Sequence, residues 1–564
     1  MKFEDYQYER PNMEVLKETF QQALSDFNEA TDVDSQEKAM DKINKIRFDF
    51  NTVSTLANIR HSLDTTDKFY DEEKSFFNRN SPMFGQLNNL YYQALTQSKF
   101  RKELESKKGA LLFQKAEISL KTFSNEIMSD LQKENELASQ FQKILASAQI
   151  EFEGKTRNLS QMTPFAQSTD RDMRRRASKA TSSFLQENEE KLDKLYDDLV
   201  KVRTEIAKKL GYKNFVELAY NRWGRVDYGP EDVANYRKQV FEHVVPLNTE
   251  LTKRKQKRLN LDPIYHYDLS LEFDTGNPKP KGDKDWMVKR ASTMYQEMSQ
   301  ETDEFFTFMK TRNLLDLEAR KGKAGGGYCT FIANYDSPFI FSNFNGTKGD
   351  VDVLTHEAGH AFQMYMSRHH EVPEYLTSSP DVMEIHSMSM EFFAWPWINL
   401  FFEEDTEKYK FSHLTHALMI ISYGVAIDEF QHVVYENPDM TIEARKKAWL
   451  EIDKKYFPYK IYDDNSYLEN GNGWQFVMHI FVVPFYMIDY TLAQLSAFQY
   501  WVRSRKDHET AWKSYLTLCK AGGSDSFLGL HKLAELKSPF EDGTLKAIIP
   551  EIKKYLDSID DTKL

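Results

Sequence analysis

Cysteine is almost missing from this chain: Cys329 and Cys519 are the only two in 564 residues. A disulfide framework is therefore excluded, and a reducing, cytoplasmic compartment is the expectation. No export leader is expected either. The chain opens Met1-Lys2-Phe3-Glu4-Asp5-Tyr6, with acids and aromatics where such a signal needs a basic start and an apolar run. The most apolar stretch, Phe476 to Phe498, is interrupted by His479, Pro484, Asp489 and Gln494. It reads as a buried helix of a soluble protein, not as a membrane span. Positive charge is in deficit as well, and a net charge of -13 argues against a duty on nucleic-acid phosphates. Gly325-Gly326-Gly327 lacks the Gly-Lys-Ser/Thr ending of a phosphate-binding loop, which argues against nucleotide binding.

What is present describes a large folded protein, since 40% of residues are hydrophobic and 29% charged. Apolar residues recur three and four apart through most of the chain, as in Met13 to Phe27 and Glu187 to Leu210, so the fold class is mainly α. Turn signals at Asn78 to Pro82, Gly211-Tyr212, Tyr228-Gly229-Pro230 and Asn277 to Gly282 separate the helices. No repeat of solenoid length is visible. The basic runs Arg174 to Arg176 and Lys253 to Arg258 read as solvated helix faces. Tyr328 to Ile332 and Pro338 to Phe344 read as two short strands, the second leading into the next helix.

That helix, over Asp352 to Ser367, carries His356-Glu357-Ala358-Gly359-His360. Four-residue spacing puts both imidazoles on one face, where they can hold zinc, and Glu357 beside them can take a proton from water. A catalytic zinc needs a third protein ligand. Glu384 and His386 are the candidates, and they face about 160° apart on a helix of 3.6 residues per turn. Asp352 and Glu391 either orient a ligand histidine or are helix-surface carboxylates.

The order Asn343-Phe344-Asn345-Gly346, His356 to Phe362, then Glu384 resembles the oligoendopeptidase F branch of the thimet oligopeptidase superfamily. Asp170 to Ala177, Ala207 to Phe215 and His479 to Tyr490 resemble further landmarks of that branch, so the likeness spans about residues 160 to 550. It implies a deep substrate channel between helical walls, with residues 1–160 as one wall and 161–564 as the catalytic domain. It implies one zinc ion per chain on His356, His360 and Glu384, with Glu357 as general base. His479, Tyr486 and Tyr490 would hold the substrate carbonyl and oxyanion. The strand through Phe341, Asn343 and Phe344 would be an edge that pairs with substrate backbone. The implied activity is cleavage of internal bonds in short or unfolded peptides. A zinc carboxypeptidase or dipeptidyl carboxypeptidase, and a peptide-binding protein with a structural metal, are the alternatives. Side-chain preference and oligomeric state are not written in the sequence.

Overall fold

A computed structural model describes all of residues 1–564. Twenty-five α-helices and five short strands make up its regular structure, as the mainly helical reading requires. The first long helix, Met13–Glu29, starts where the Asn12 side chain accepts the N–H groups of Glu14 and Val15. It buries Phe20, Ala23 and Phe27, spaced three and four apart. Each fully buried Phe contributes about 1.5–3 kcal/mol. One expected turn is absent, because the helix Lys68–Thr96 runs through Pro82. Asn80 and Ser81 donate their side chains to the carbonyls of Phe76 and Phe77, and burial of Phe77, Phe84 and Leu87 outweighs the backbone bond that Pro82 cannot make.

Two large apolar cores and a small cluster of Ile150, Phe152, Met162 and Ala177 fill the chain. The smaller of the two cores gathers Phe20 to Ala116 and closes on Val372 and Tyr375. The larger holds most of the remaining buried side chains and includes Ile127, Leu137 and Phe141 from the segment before residue 160. Buried polar contacts tie the N-terminal helices to the segment around residue 374 at the smaller core. Arg47 pairs with Glu374, and Tyr92 donates to the same carboxylate at 2.5 Å.

The basic runs are solvated only in part: Arg175, Arg176, Lys253 and Lys257 are exposed, but other members are not. Arg174 is buried against Asp268 at 2.6 Å, while Lys255 and Arg258 are buried on Glu272 and Asp561. Those carboxylates come from distant segments, so no local pattern announces them. The helix Thr406–Glu436 belongs to an apolar stretch long enough to cross a bilayer, but 72% of that stretch's most apolar window is buried within the protein. The stretch Phe476 to Phe498 is not one helix: a short piece, Met478–Phe481, gives way to a turn, and helix resumes at Met487–Lys506.

Strands β1 (Ile150–Phe152) and β2 (Lys155–Arg157) form a hairpin whose turn residues Glu153 and Gly154 both have positive φ. The other sheet has β3 (Leu315–Glu318), β5 (Ser337–Phe344) and β4 (Tyr328–Ile332) in that spatial order. β5 is parallel to β3, with Leu315 opposite Ile340, and antiparallel to β4, with Tyr328 opposite Phe341. This corrects the expectation that the strand through Phe341, Asn343 and Phe344 is an edge. Both flanks of β5 are hydrogen-bonded, and its run Pro338 to Phe341 is buried as a central strand's is. The strands open on one side are β3 and β4.

Candidate metal centre

The His356 helix (Lys348–Ser367) leaves β5 directly, and the Glu384 helix (Pro380–Phe393) packs across it. Pro380 at the first helical position sets where the second begins. The crossing is close because Gly359 lies at it: a Cβ there would stand 2.7 Å from the His386 carbonyl oxygen and 2.7 Å from Ser387 Cα. A glycine inside a motif helix, ordinarily a cost, here brings Glu384 over the two histidines.

The His356 and His360 rings stand nearly perpendicular, their centroids 5.0 Å apart. Glu384 Oε2 is 3.3 Å from His356 Nε2 and 3.6 Å from His360 Nε2. A tetrahedral ion held at about 2.1 Å by nitrogen and oxygen puts its ligand atoms about 3.4 Å apart, so these three donors fit one. They are the one His/Cys/Asp/Glu group in the protein with metal-binding spacing. Burial alone would raise the Glu384 carboxyl, but His360 and His356 outweigh it and hold it down at about 2. Burial pushes His360 down, toward the neutral form that metal binding uses. Burial would also lower His356, but hydrogen bonds to Glu384 and Glu391 win and raise it. A divalent cation held by these donors would take the place of that proton.

His356 Nδ1 meets Glu391 Oε1 at 2.7 Å, leaving Nε2 to face Glu384. Glu391 Oε2 meets His413 Nε2 at 2.6 Å, and the Trp395 indole N–H donates to His413 Nδ1 at 3.0 Å. Since His413 Nδ1 accepts, its Nε2 carries the proton toward Glu391. Trp395, His413, Glu391 and His356 thus form one chain of bonds ending at the cluster. His413 and Trp395 were not read from the sequence, since nothing in their spacing ties them to His356. Glu391→Gln is expected to weaken metal binding about 10–100-fold. Competition against a chelating dye reads this, and unchanged affinity would dismiss the chain as a support.

Asp352 makes no part of that chain. Its oxygens accept from Lys348 at 2.8 Å and Tyr409 at 2.7 Å. His386 faces away from the cluster, with Cys519 Sγ 3.6 Å from Nδ1, and burial pushes its imidazole down to about 3. Of the two candidate third ligands, only Glu384 reaches the histidines.

The late segment arrives from the other side. Tyr486 donates its hydroxyl to Glu384 Oε1 at 2.9 Å. The ring of His479 stacks on Tyr486 at 6.0 Å and meets Tyr490 edge-on at 5.8 Å. Burial and the charge of Glu384 raise both tyrosine hydroxyls, which keeps them protonated donors. Burial lowers His479, against the pull of Glu384. Burial raises the Cys329 thiol, and the Glu357 charge adds to the rise at both Cys329 and Tyr490. Among the residues read as substrate-facing, Phe341 is fully buried and Phe344 half-buried. Asn343 spends its amide on the carbonyls of Ala324 and Gly326, pinning the glycine-rich loop.

The chain matches known proteins in sequence and fold. Residues 165–549 match peptidase family M3, and residues 3–123 match the peptidase M3 N-terminal domain. The solved structure of Pz peptidase A with inhibitor 2 is 55% identical, covers 100% of both chains and superposes with a TM-score of 0.95. Oligopeptidase PepF of Bacillus subtilis strain 168 is 23% identical over 570 residues, 94% of this chain and 80% of the relative. The crystal structure of oligoendopeptidase-F from Enterococcus faecium, 15% identical over 98% of each chain with a TM-score of 0.66, shares the fold. With its catalytic region matched from residue 165 to 549, the chain belongs to peptidase family M3 and is a metalloendopeptidase of the oligoendopeptidase F branch.

Proposed function

We propose that the chain is a zinc-dependent oligoendopeptidase that hydrolyses internal bonds of short or unfolded peptides. The observation that carries this reading is the convergence of His356 Nε2, His360 Nε2 and Glu384 Oε2, with the Tyr486 hydroxyl on the other oxygen of Glu384. One ion per chain would be held by those three donors. Zinc there supplies Lewis-acid chemistry, polarising a carbonyl and making water acidic near neutral pH. Glu357, one residue from a proposed ligand and outside the donor set, takes the proton of the attacking water and passes it to the leaving amine. The hydroxyls of Tyr486 and Tyr490 donate to the oxyanion, and neutral His479 holds the same group from beside Tyr486.

The edge offered to substrate backbone is assigned to β4 rather than β5. β4 packs along the His356 helix, and Cys329 Sγ lies 3.9 Å from Met364 Sδ on that helix. An extended peptide paired there lies beside the proposed base. Residues 1–160 are proposed as one wall of the channel and residues 161–564 as the catalytic part. The two free thiols are consistent with a cytoplasmic setting.

The test is digestion of a mixed peptide set, blocked at both ends, followed by mass spectrometry. Internal cuts that stop with a chelator and return with zinc are expected. Cleavage that needs a free C-terminus would transfer the assignment to a carboxypeptidase or dipeptidyl carboxypeptidase. Zinc-loaded protein that binds peptides and cuts none would leave the metal a structural role.

A further inference from the structure

Between the short helix Met478–Phe481 and the helix that starts at Met487, the backbone is irregular, so its polar groups need partners from elsewhere. Side chains supply them. Arg203, buried with Glu134 and Tyr435, donates to the carbonyls of Ile480 at 3.3 Å and Phe481 at 2.6 Å. The Trp223 indole N–H donates to the Pro484 carbonyl at 2.8 Å. Arg225 Nη2 donates to the Phe485 carbonyl at 2.6 Å and to Asp489 Oδ1 at 2.7 Å. The Phe485 N–H donates to Gln431 Oε1 at 2.9 Å.

Phe485 is held at φ 64°, a left-handed conformation that a bulky side chain avoids, and its ring is fully buried. A residue keeps such a conformation when its surroundings over-determine it. Here both polar groups of Phe485 and the carbonyl before it are bonded by side chains from three distant positions. The residue that follows is Tyr486, whose hydroxyl reaches Glu384, and the Trp223 ring lies 5.1 Å from the Tyr486 ring.

We propose that Trp223, with Arg225 and Gln431, is a positioning clamp that fixes the left-handed turn at Phe485 and thereby aims the Tyr486 hydroxyl into the active site. This rests on the reading that Tyr486 assists hydrolysis. The clamp residues touch neither the proposed metal ligands nor the peptide-facing strand. They act through the backbone of residues 484 and 485 and, for Trp223, through its ring packed beside that of Tyr486.

Trp223→Phe removes the N–H and keeps an aromatic ring at a half-buried position. It is compared with wild type, Tyr486→Phe and the double variant, each zinc-loaded, for kcat, KM, zinc content and amide exchange across residues 480–490. The expected Trp223→Phe protein has wild-type zinc content, KM within about twofold, faster exchange at Phe485 and Tyr486, and kcat about 5–20-fold lower. In the Tyr486→Phe background the same change is expected to cost less than about twofold, since the group it aims is already gone. Wild-type kcat and exchange in Trp223→Phe, or an undiminished loss in the double variant, would overturn the clamp while leaving Tyr486 its role. Wild-type turnover by Tyr486→Phe would instead remove the role assigned to Tyr486, and the clamp with it.

Discussion

Glu357→Gln is expected to yield a folded protein that carries zinc at wild-type stoichiometry and cleaves peptides about 10²–10⁴-fold more slowly. Glutamine has the shape of glutamate and a similar helix propensity, so the helix Lys348–Ser367 keeps its geometry. The three proposed metal donors lie elsewhere: His356 and His360 on the same helix, Glu384 on its neighbour. What is lost is the ability to accept a proton from water. The loss should therefore fall on kcat, with peptide affinity little changed. Metal analysis, peptide binding by fluorescence anisotropy and turnover of a quenched peptide are read on one preparation. Wild-type turnover in a zinc-loaded Glu357→Gln protein would remove Glu357 from the chemistry. Loss of zinc would make it a support of the metal site instead.

How much of this was legible in the sequence follows the range of the contacts. His356, Glu357 and His360 share one helical turn, so spacing alone sets their common face. Glu384 and Glu391 are seven apart on the next helix and return to nearly one side, and both reach His356, Glu384 at 3.3 Å and Glu391 at 2.7 Å. The helices Met13–Glu29 and Glu189–Lys209 follow from their own periodicity within two residues. Contacts between distant segments were not legible. Strand order depends on β3, whose Leu-Asp-Leu-Glu alternation is only four residues long and does not say which strand it pairs with, and its pairing turns β5 from an edge into a centre. Arg174 looks like one of three surface cations until Asp268, 94 residues on, is folded against it. The same is true of Trp395 and His413 behind Glu391, and of Trp223, Arg225 and Gln431 around Phe485.

Gly359→Ala is the substitution whose sign distinguishes a packing role for the motif glycine from mere tolerance. On an open helix the change would stabilise by up to about 1 kcal/mol, because alanine loses less backbone freedom on folding. Here the new Cβ would meet the His386 carbonyl oxygen and Ser387 Cα at 2.7 Å and Met390 Cβ at 3.0 Å. The first two are backbone atoms of the Glu384 helix and cannot rotate aside, so the helices must separate by about half an ångström or more to restore ordinary contact. Overpacking of this kind costs about 1–3 kcal/mol. The damage is directional. Glu384 is two residues before His386 on the helix that is displaced, whereas His356 and His360 stay with the helix that bears the intrusion. A site whose geometry must hold within about 0.5 Å then loses the fit between Glu384 and the two imidazoles. Gly359→Ala is therefore expected to lower the thermal midpoint of the metal-free protein, to weaken zinc binding by at least about tenfold, and to reduce turnover in step with occupancy. Differential scanning calorimetry of metal-free and loaded protein, with dye competition for zinc, checks both effects. A raised midpoint with unchanged zinc affinity would mean that the helices do not cross at Gly359. The close approach that carries Glu384 to His356 and His360 would then be wrong.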